Sequence, residues 1–331
     1  MKTQSKIISV APMMDWTDRH CRYLHRLMST RTLLYTEMIS ARAILHGDLS
    51  RLLAYHPSEH PLAVQLGGAD PHELAQAARI CADHGFDEVN LNIGCPSDRV
   101  QSGAFGAVLM RQPDLVAECA GAMIAACPVR VSVKCRIGVD DQTPEQVLPD
   151  FLARVSAAGV RHFAIHARKA WLSGLSPKKN RDIPPLNYPL VHAMKAQFPT
   201  LHLSLNGGIA SLAQARAHLD AGIDGVMIGR AAYHAPCDML LGADRLISGA
   251  PASRTAHDVV HLMIPYIDAH LARGGRLAQI TRHMLGMFQG RPGARHWRRI
   301  LSERAHLDGA TSQVVLDALA AIAPDQQRIA S

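Results

Sequence analysis

What the chain lacks narrows its class before anything it contains. Its seven cysteines, at 21, 81, 95, 119, 127, 135 and 237, are odd in number and include no Cys-x-x-Cys pair. That argues against a disulfide framework and against a zinc knuckle, and leaves any chemically active cysteine as a free thiol. No apolar run approaches the length of a membrane span, and the stretch from Ile7 to Met14 is short and broken by Pro12, so neither a transmembrane helix nor a signal peptide is supported. The expected location is cytoplasmic, with no membrane partner. The nineteen histidines hold no His-Glu-x-x-His signature, and no metal is expected. A Gly-x-Gly-x-x-Gly after an early strand is missing too, which disfavours an open dinucleotide-binding sheet. Internal repeats and low-complexity tracts are absent.

What is present is a large potential core: of 331 residues, 48% are hydrophobic and 19% charged, which excludes global disorder. Eight short β-rich runs occur in the first 230 residues: Ile7–Met13, Leu33–Met38, Leu62–Leu66, Glu88–Ile93, Val129–Arg136, His162–His166, Leu201–Asn206 and Gly225–Ile228. Helical patterns such as Pro71–His84, Pro113–Ala126, Pro144–Ala158 and Leu212–Ala221 separate them. Strands alternating with helices pair in parallel, and eight such units close a (β/α)8 TIM barrel. After residue 245 the β signal stops, and Ala256–Gly274, Leu277–Phe288, Ala294–His306 and Ser312–Ala323 read as helices behind the linker Ser248–Arg254. The expected fold is therefore α/β: a barrel over 1–245, then a small all-helical C-terminal domain over 246–331.

In such a barrel chemistry belongs to the C-terminal strand ends, and here those ends are polar. Glycines after strands seven and eight, in Asn206-Gly207-Gly208 and Gly229-Arg230, suit a phosphate cradle, although either pair read alone is equally an ordinary turn. Lys134 lies inside the β run Val129–Arg136, where a charge is uncommon; a Schiff-base amine, a cation beside an electron-rich ring and a solvated lysine all remain open. Gln65 and His166 end strands three and six, as donors to a planar heterocycle or as satisfied structural groups. Cys95 stands apart from the cysteines inside helical patterns, because its Gly-Cys-Pro turn faces the mouth. An ordinary thiol is mostly protonated at neutral pH, so Cys95 can act as a proton donor, a nucleophile or a spectator.

In order along the chain, Met13-Met14-Asp15-Trp16-Thr17-Asp18, Asn90-Leu91-Asn92-Ile93-Gly94-Cys95-Pro96-Ser97, Lys134-Cys135-Arg136-Ile137-Gly138, His166-Ala167-Arg168-Lys169-Ala170 and Asn206-Gly207-Gly208-Ile209 resemble the tRNA-dihydrouridine synthases, most closely their A-type members. The resemblance spans nearly the whole chain. It departs at Cys135, where a threonine is commoner; that side chain should point away from that of Lys134. The resemblance implies an FMN enzyme that reduces a uridine of the tRNA D-loop, at positions 20 and 20a, with NADPH recharging the flavin. It also implies that Pro12, Met13, Met14, Gln65, Lys134, His166, Asn206, Gly207, Gly208, Gly229 and Arg230 hold FMN, that Cys95 donates the proton, and that Asn92 holds the uracil edge.

A uridine inside folded tRNA must be extruded to be reached, which calls for a basic surface beside the mouth. Two candidates are Lys178, Lys179 and Arg181 after strand six, and Arg295, Arg298 and Arg299, whose spacing places them on one helix face. The formal charge of +7 is concentrated: residues 276–306 hold seven arginines and one acid, 7 − 1 = +6. A monomer is the expected state. A Schiff-base aldolase barrel built on Lys134, and a non-catalytic tRNA-binding module, are the competing readings.

Overall fold

The computed structural model describes residues 6–97, 103, 105–252 and 254–323; position 253 of the expected linker and positions 324–331 of the expected second domain lie outside it. Eight parallel strands follow one another around a ring: β1 (Ile7–Val10), β2 (Leu34–Ser40), β3 (Leu62–Gly67), β4 (Glu88–Ile93), β5 (Arg130–Arg136), β6 (His162–His166), β7 (His202–Asn206) and β8 (Gly225–Ile228). β1 pairs with β8, and the ring closes where Val10 N–H donates to Leu33 O at 3.0 Å and Leu33 N–H to Ile8 O at 3.0 Å. The expected strands are found within a few residues; the first ends at Val10, with Ala11 N–H making a last bond to Ile228 O at 2.8 Å before Pro12, which has no N–H to donate.

Each strand alternates. Val89, Leu91, Val131, Val133, Cys135, Phe163, Ile165, Leu203 and Leu205 are buried in the main core, while the residues between them, Asn90, Asn92, Ser132, Ala164, His166, Ser204 and Asn206, belong to the other face. Since successive side chains point to opposite faces, the first set meets the surrounding helices and the second fills the lumen. A small separate cluster of Ala11, Leu33, Tyr35, Ala63, Ala164 and Met227 is the apolar part of that lumen. Cys135 falls on the helix side, fully buried, with its thiol pushed up to about 12 by burial, as its register beside Lys134 required.

Helix starts follow local chemistry. Asp70 accepts from Glu73 N–H with Pro71 in the first turn of Pro71–Asp83, Ser211 accepts from Gln214 N–H ahead of Leu212–Asp220, and Thr255 and Asp258 form a capping box for Ala256–Ala272; each satisfies a donor the helix leaves open. Helix Ala243–Ser248 crosses the expected boundary and stays on the barrel, its Asp244 carboxylate accepting from Ser29, Thr30 and Arg31. The later helices Ala256–Ala272, Leu277–Met284, Ala294–Arg304 and Gln313–Leu319 lean on barrel helix Arg19–Met28, where Tyr266 stacks on Tyr23 at 4.0 Å and its hydroxyl meets His20 Nδ1 at 2.7 Å. Their own centre is Trp297, fully buried, donating Nε1–H to Met284 O at 2.9 Å. No helix among the described residues is long and apolar enough to cross a membrane.

Candidate active site

The barrel mouth brings Gln65, Asn92, Cys95, Lys134, His166 and Asn206 to the carboxyl ends of neighbouring strands. Asn92 pairs in register with Lys134, Gln65 with Asn90, and Arg136 with His166, which itself pairs with Asn206. Cys95 is the one cysteine that is not buried. Its turn is held from within: Asn92 Oδ1 accepts the backbone N–H groups of Gly94 and Cys95, both at 3.0 Å, and Cys95 O accepts from Ala107 N–H at 2.9 Å. The sulfur lies 3.4 Å from Ser97 Oγ.

Sequence reasoning assigned Asn92 to the substrate. The structure shows its oxygen occupied by the turn and one amide N–H donated to Gln65 Oε1 at 2.7 Å, which leaves one N–H for a ligand.

The amine of Lys134 has no hydrogen-bond or ion-pair partner among the described residues, and burial, then the Arg136 charge, lowers its pKa to about 8. An unpaired amine in a partly desolvated lumen is a site that an anionic or electron-rich ligand would stabilise. His166 is buried and likewise makes no side-chain hydrogen bond among those residues; burial first, then Arg136 and Lys134, hold its pKa well below the ordinary histidine value, so the ring is neutral. Asn206 is fixed by donating to Met227 O at 2.8 Å.

Gly207 and Gly208 both have positive φ, 108° and 71°. A Cβ at Gly207 would stand 2.5 Å from the His166 ring, and one at Gly208 2.5 Å from Leu186. Glycine is therefore required twice over, by backbone conformation and by close packing, and Tyr188 pins the turn by donating to Gly207 O at 2.7 Å. Gly229 opens the short helix Arg230–His234 with no side-chain cap. Arg230 pairs with Asp182 at 2.7 Å. The turn after β1 satisfies itself, Met13 N–H donating to Thr17 Oγ1 at 3.0 Å and Met13 O accepting from Thr17 N–H at 2.9 Å. Pro12 and Met13 are half-buried, and Met14 stands exposed.

These groups fit a flavin phosphate and ring in composition: an open helix start and glycine turns beside β7 and β8, an unpaired Lys134, a neutral His166 and the Gln65 amide on the lumen wall.

Arg136 was not singled out from the sequence. Buried at the end of β5, it donates to Gly94 O at 3.1 Å, Lys169 O at 3.2 Å and Asn180 O at 3.0 Å, clamping the Cys95 turn to the loop after β6. Asn180, fully buried, bonds Trp171 and Leu175 and so holds up a loop whose Lys178, Lys179 and Arg181 remain exposed.

The basic tail is less uniformly free than its composition suggests. Arg282 pairs with Asp18 and Arg304 with Asp317, and Arg298 donates to Gln289 at 2.7 Å. Arg295 and Arg299 are exposed on helix Ala294–Arg304. A third basic surface was missed: Arg19, Arg273 and Arg276, exposed and making no ion pair among the described residues, line an open cleft of about 490 Å³ with His270 and Gln279. Arg19 is 254 residues before Arg273 in sequence (273 − 19 = 254), which hid it.

The profile of the dihydrouridine synthase family matches residues 9–323. The tRNA-dihydrouridine(20/20a) synthase of Vibrio parahaemolyticus is 54% identical over 322 residues, covering 97% of this chain and 98% of its own. The Escherichia coli K12 protein of the same name is 56% identical over 319 residues, covering 95% and 91%. Among solved structures, an old yellow enzyme homologue from Zymomonas mobilis superposes with a TM-score of 0.51 at 15% identity over 78% of this chain and 92% of that one. Morphinone reductase gives 0.51 at 15% identity over 75% and 87%. Both are likenesses of barrel fold. The full-length family match and the relatives above half identity carry the assignment: the chain belongs to the dihydrouridine synthase family of flavin-dependent, tRNA-modifying oxidoreductases.

Proposed function

We propose that this chain reduces uridines of the tRNA D-loop, at the positions 20 and 20a that the name of its relatives carries, with FMN as the flavin and NADPH as the reductant. The observation that carries the reading is the juxtaposition, on adjacent strand ends, of the partly exposed Cys95 thiol and the unpaired Lys134 amine.

In this reading Pro12, Met13, Met14, Gln65, Lys134, His166, Asn206, Gly207, Gly208, Gly229 and Arg230 hold the flavin. When bound, the reduced flavin supplies hydride to one carbon of the uracil C5=C6 bond. Cys95 then delivers its thiol proton to the other carbon, where the negative charge has collected, and regains a proton from solvent afterwards. The Lys134 ammonium would stabilise the negative charge of a reduced flavin held in this lumen. Asn92 offers its remaining N–H to the uracil edge. A neutral His166 donates or accepts without adding charge.

The barrel, residues 1–245, performs the chemistry, and the helical segment 246–331 grips the RNA. Lys178, Lys179 and Arg181 on one side of the mouth, and Arg295, Arg298 and Arg299 on the tail, contact phosphates; the Arg19–Arg273–Arg276 cleft adds a third basic surface. The protein acts as a cytoplasmic monomer. The direct test is to purify the protein, record the visible spectrum before and after adding FMN, and map dihydrouridine in tRNA lacking it. A flavin spectrum and product at 20 and 20a support the reading; a colourless protein that takes up no FMN overturns it, and borohydride trapping of Lys134 by a keto substrate would favour the aldolase instead.

A further inference from the structure

The lumen contains a string of hydrogen bonds with a single direction. Asn92 Nδ2–H donates to Gln65 Oε1 at 2.7 Å, Gln65 Nε2–H to Asn90 Oδ1 at 2.8 Å, and Asn90 Nδ2–H to Ser132 Oγ at 2.7 Å. Ser132 then donates to Glu88 Oε1 at the foot of the barrel. All of these residues are buried.

The two ends dictate the same polarity independently. At the top, the backbone N–H groups of Gly94 and Cys95 only donate, so the Asn92 oxygen faces them and its nitrogen faces Gln65. At the foot, Glu88 receives Tyr35 Oη–H at 2.8 Å and Arg130 Nη1–H at 3.2 Å as well as Ser132, so it is an acceptor-only carboxylate. Burial, then the Glu88 charge, raises the Tyr35 phenol far above its ordinary value and keeps it a donor. Between these anchors each amide has one orientation that avoids facing oxygen with oxygen or nitrogen with nitrogen, and in a desolvated lumen the flipped alternative leaves groups unpaired.

We infer that Ser132 and Glu88 are positioning residues for uridine reduction: through Asn90 and Gln65 they lock the orientation of Asn92 and with it the backbone turn that carries Cys95. The effect on reduction rests on the reading of Cys95 as proton donor; the effect on the turn does not. Removing the Ser132 hydroxyl deprives Asn90 of its acceptor and takes away one of the two anchors, so the string is held from the top alone and flips more often. A flipped Asn92 would present its NH2 group to the Gly94 and Cys95 amides and release the turn.

The test uses full-length Ser132→Ala and Glu88→Gln, with Ser132→Thr as the variant that keeps the hydroxyl. In flavin-free protein, iodoacetamide alkylation of Cys95, followed by peptide mass spectrometry, is expected to accelerate several-fold in Ser132→Ala and Glu88→Gln and to return to the wild-type rate in Ser132→Thr. In holoenzyme, single-turnover dihydrouridine formation on bound tRNA is expected to fall about tenfold, and by more than flavin reduction by NADPH, in keeping with the sensitivity of chemistry to small misplacements. Unchanged alkylation together with unchanged turnover would overturn the inference. So would an equal fall in both half-reactions with no change in alkylation, which marks general destabilisation. Product made by Cys95→Ala at the wild-type rate would refute the proton-donor reading alone and leave the alkylation comparison intact.

Discussion

Arg282 of the helical tail lies 2.6 Å from Asp18 of the loop after β1. His283 Nε2 is 3.1 Å from the same carboxylate oxygen, while the other oxygen caps helix Arg19–Met28 by accepting from His20 and Cys21 N–H. One carboxylate thus starts a barrel helix and ties it to the tail. Burial alone would raise the Asp18 pKa, but the hydrogen bond and charge of His283, with Cys21 N–H and Arg282, bring it well below the ordinary range.

Asp18→Ala is therefore expected to cost about 1–3 kcal/mol at pH 7 through the lost cap and buried partners. Because the folded-state pKa is depressed, this stability is present above the unfolded-state value and disappears as pH falls through the folded one. Chemical denaturation of wild type and variant should differ at pH 7 and converge toward strongly acid pH. A difference that stays constant with pH would contradict the electrostatic account.

Lys134 gives a second pH dependence. With its pKa lowered to about 8 in the ligand-free chain, the amine loses its charge as pH rises through that value, and an electron-rich ligand loses a cationic partner. FMN affinity should weaken above pH 8, by up to about tenfold per pH unit until the bound-state pKa is reached. Titration by flavin fluorescence checks this, and in Lys134→Met the dependence should vanish.

Gly207→Ala should impair both folding and flavin retention, since alanine is strained at φ 108° and its methyl would meet the His166 ring. A loss of about 1–3 kcal/mol in stability, with reduced flavin content in the purified protein, is the expected result. A fully loaded variant of wild-type stability would show that the turn has room the packing denies.

For the RNA, Arg298→Ala is expected to weaken tRNA binding whatever the tRNA sequence and to reduce the salt slope by about one. The pair Arg273→Ala and Arg276→Ala should reduce it by about two if the open cleft takes phosphates. Filter-binding titrations over a salt series read both.

The strands were legible because lumen and helix faces alternate residue by residue, as in Val89-Asn90-Leu91-Asn92 and Val131-Ser132-Val133-Lys134, and because glycine and proline punctuate their ends. The mouth residues were legible for the same reason: polar side chains ending apolar strands have few other uses. Arg136 was not, since its three carbonyl partners come from the turn after β4 and the loop after β6 and leave no local trace. The Asn92 turn was missed because a side chain that caps its own backbone looks, in sequence, like one that awaits a substrate. The barrel–tail contacts His20–Tyr266 and Asp18–Arg282 join residues 246 and 264 apart, beyond any periodicity, and the ion pairs of Arg282 and Arg304 removed two charges from a tail that composition alone presented as wholly free.

The central claim is tested most directly by a single turnover. Cys95→Ala loaded with FMN, reduced by NADPH and mixed with tRNA lacking dihydrouridine should bind tRNA and accept electrons from NADPH as the wild type does, yet form no dihydrouridine on the wild-type timescale. Product formed at the wild-type rate would show that the proton comes from elsewhere and would contradict the account of this site.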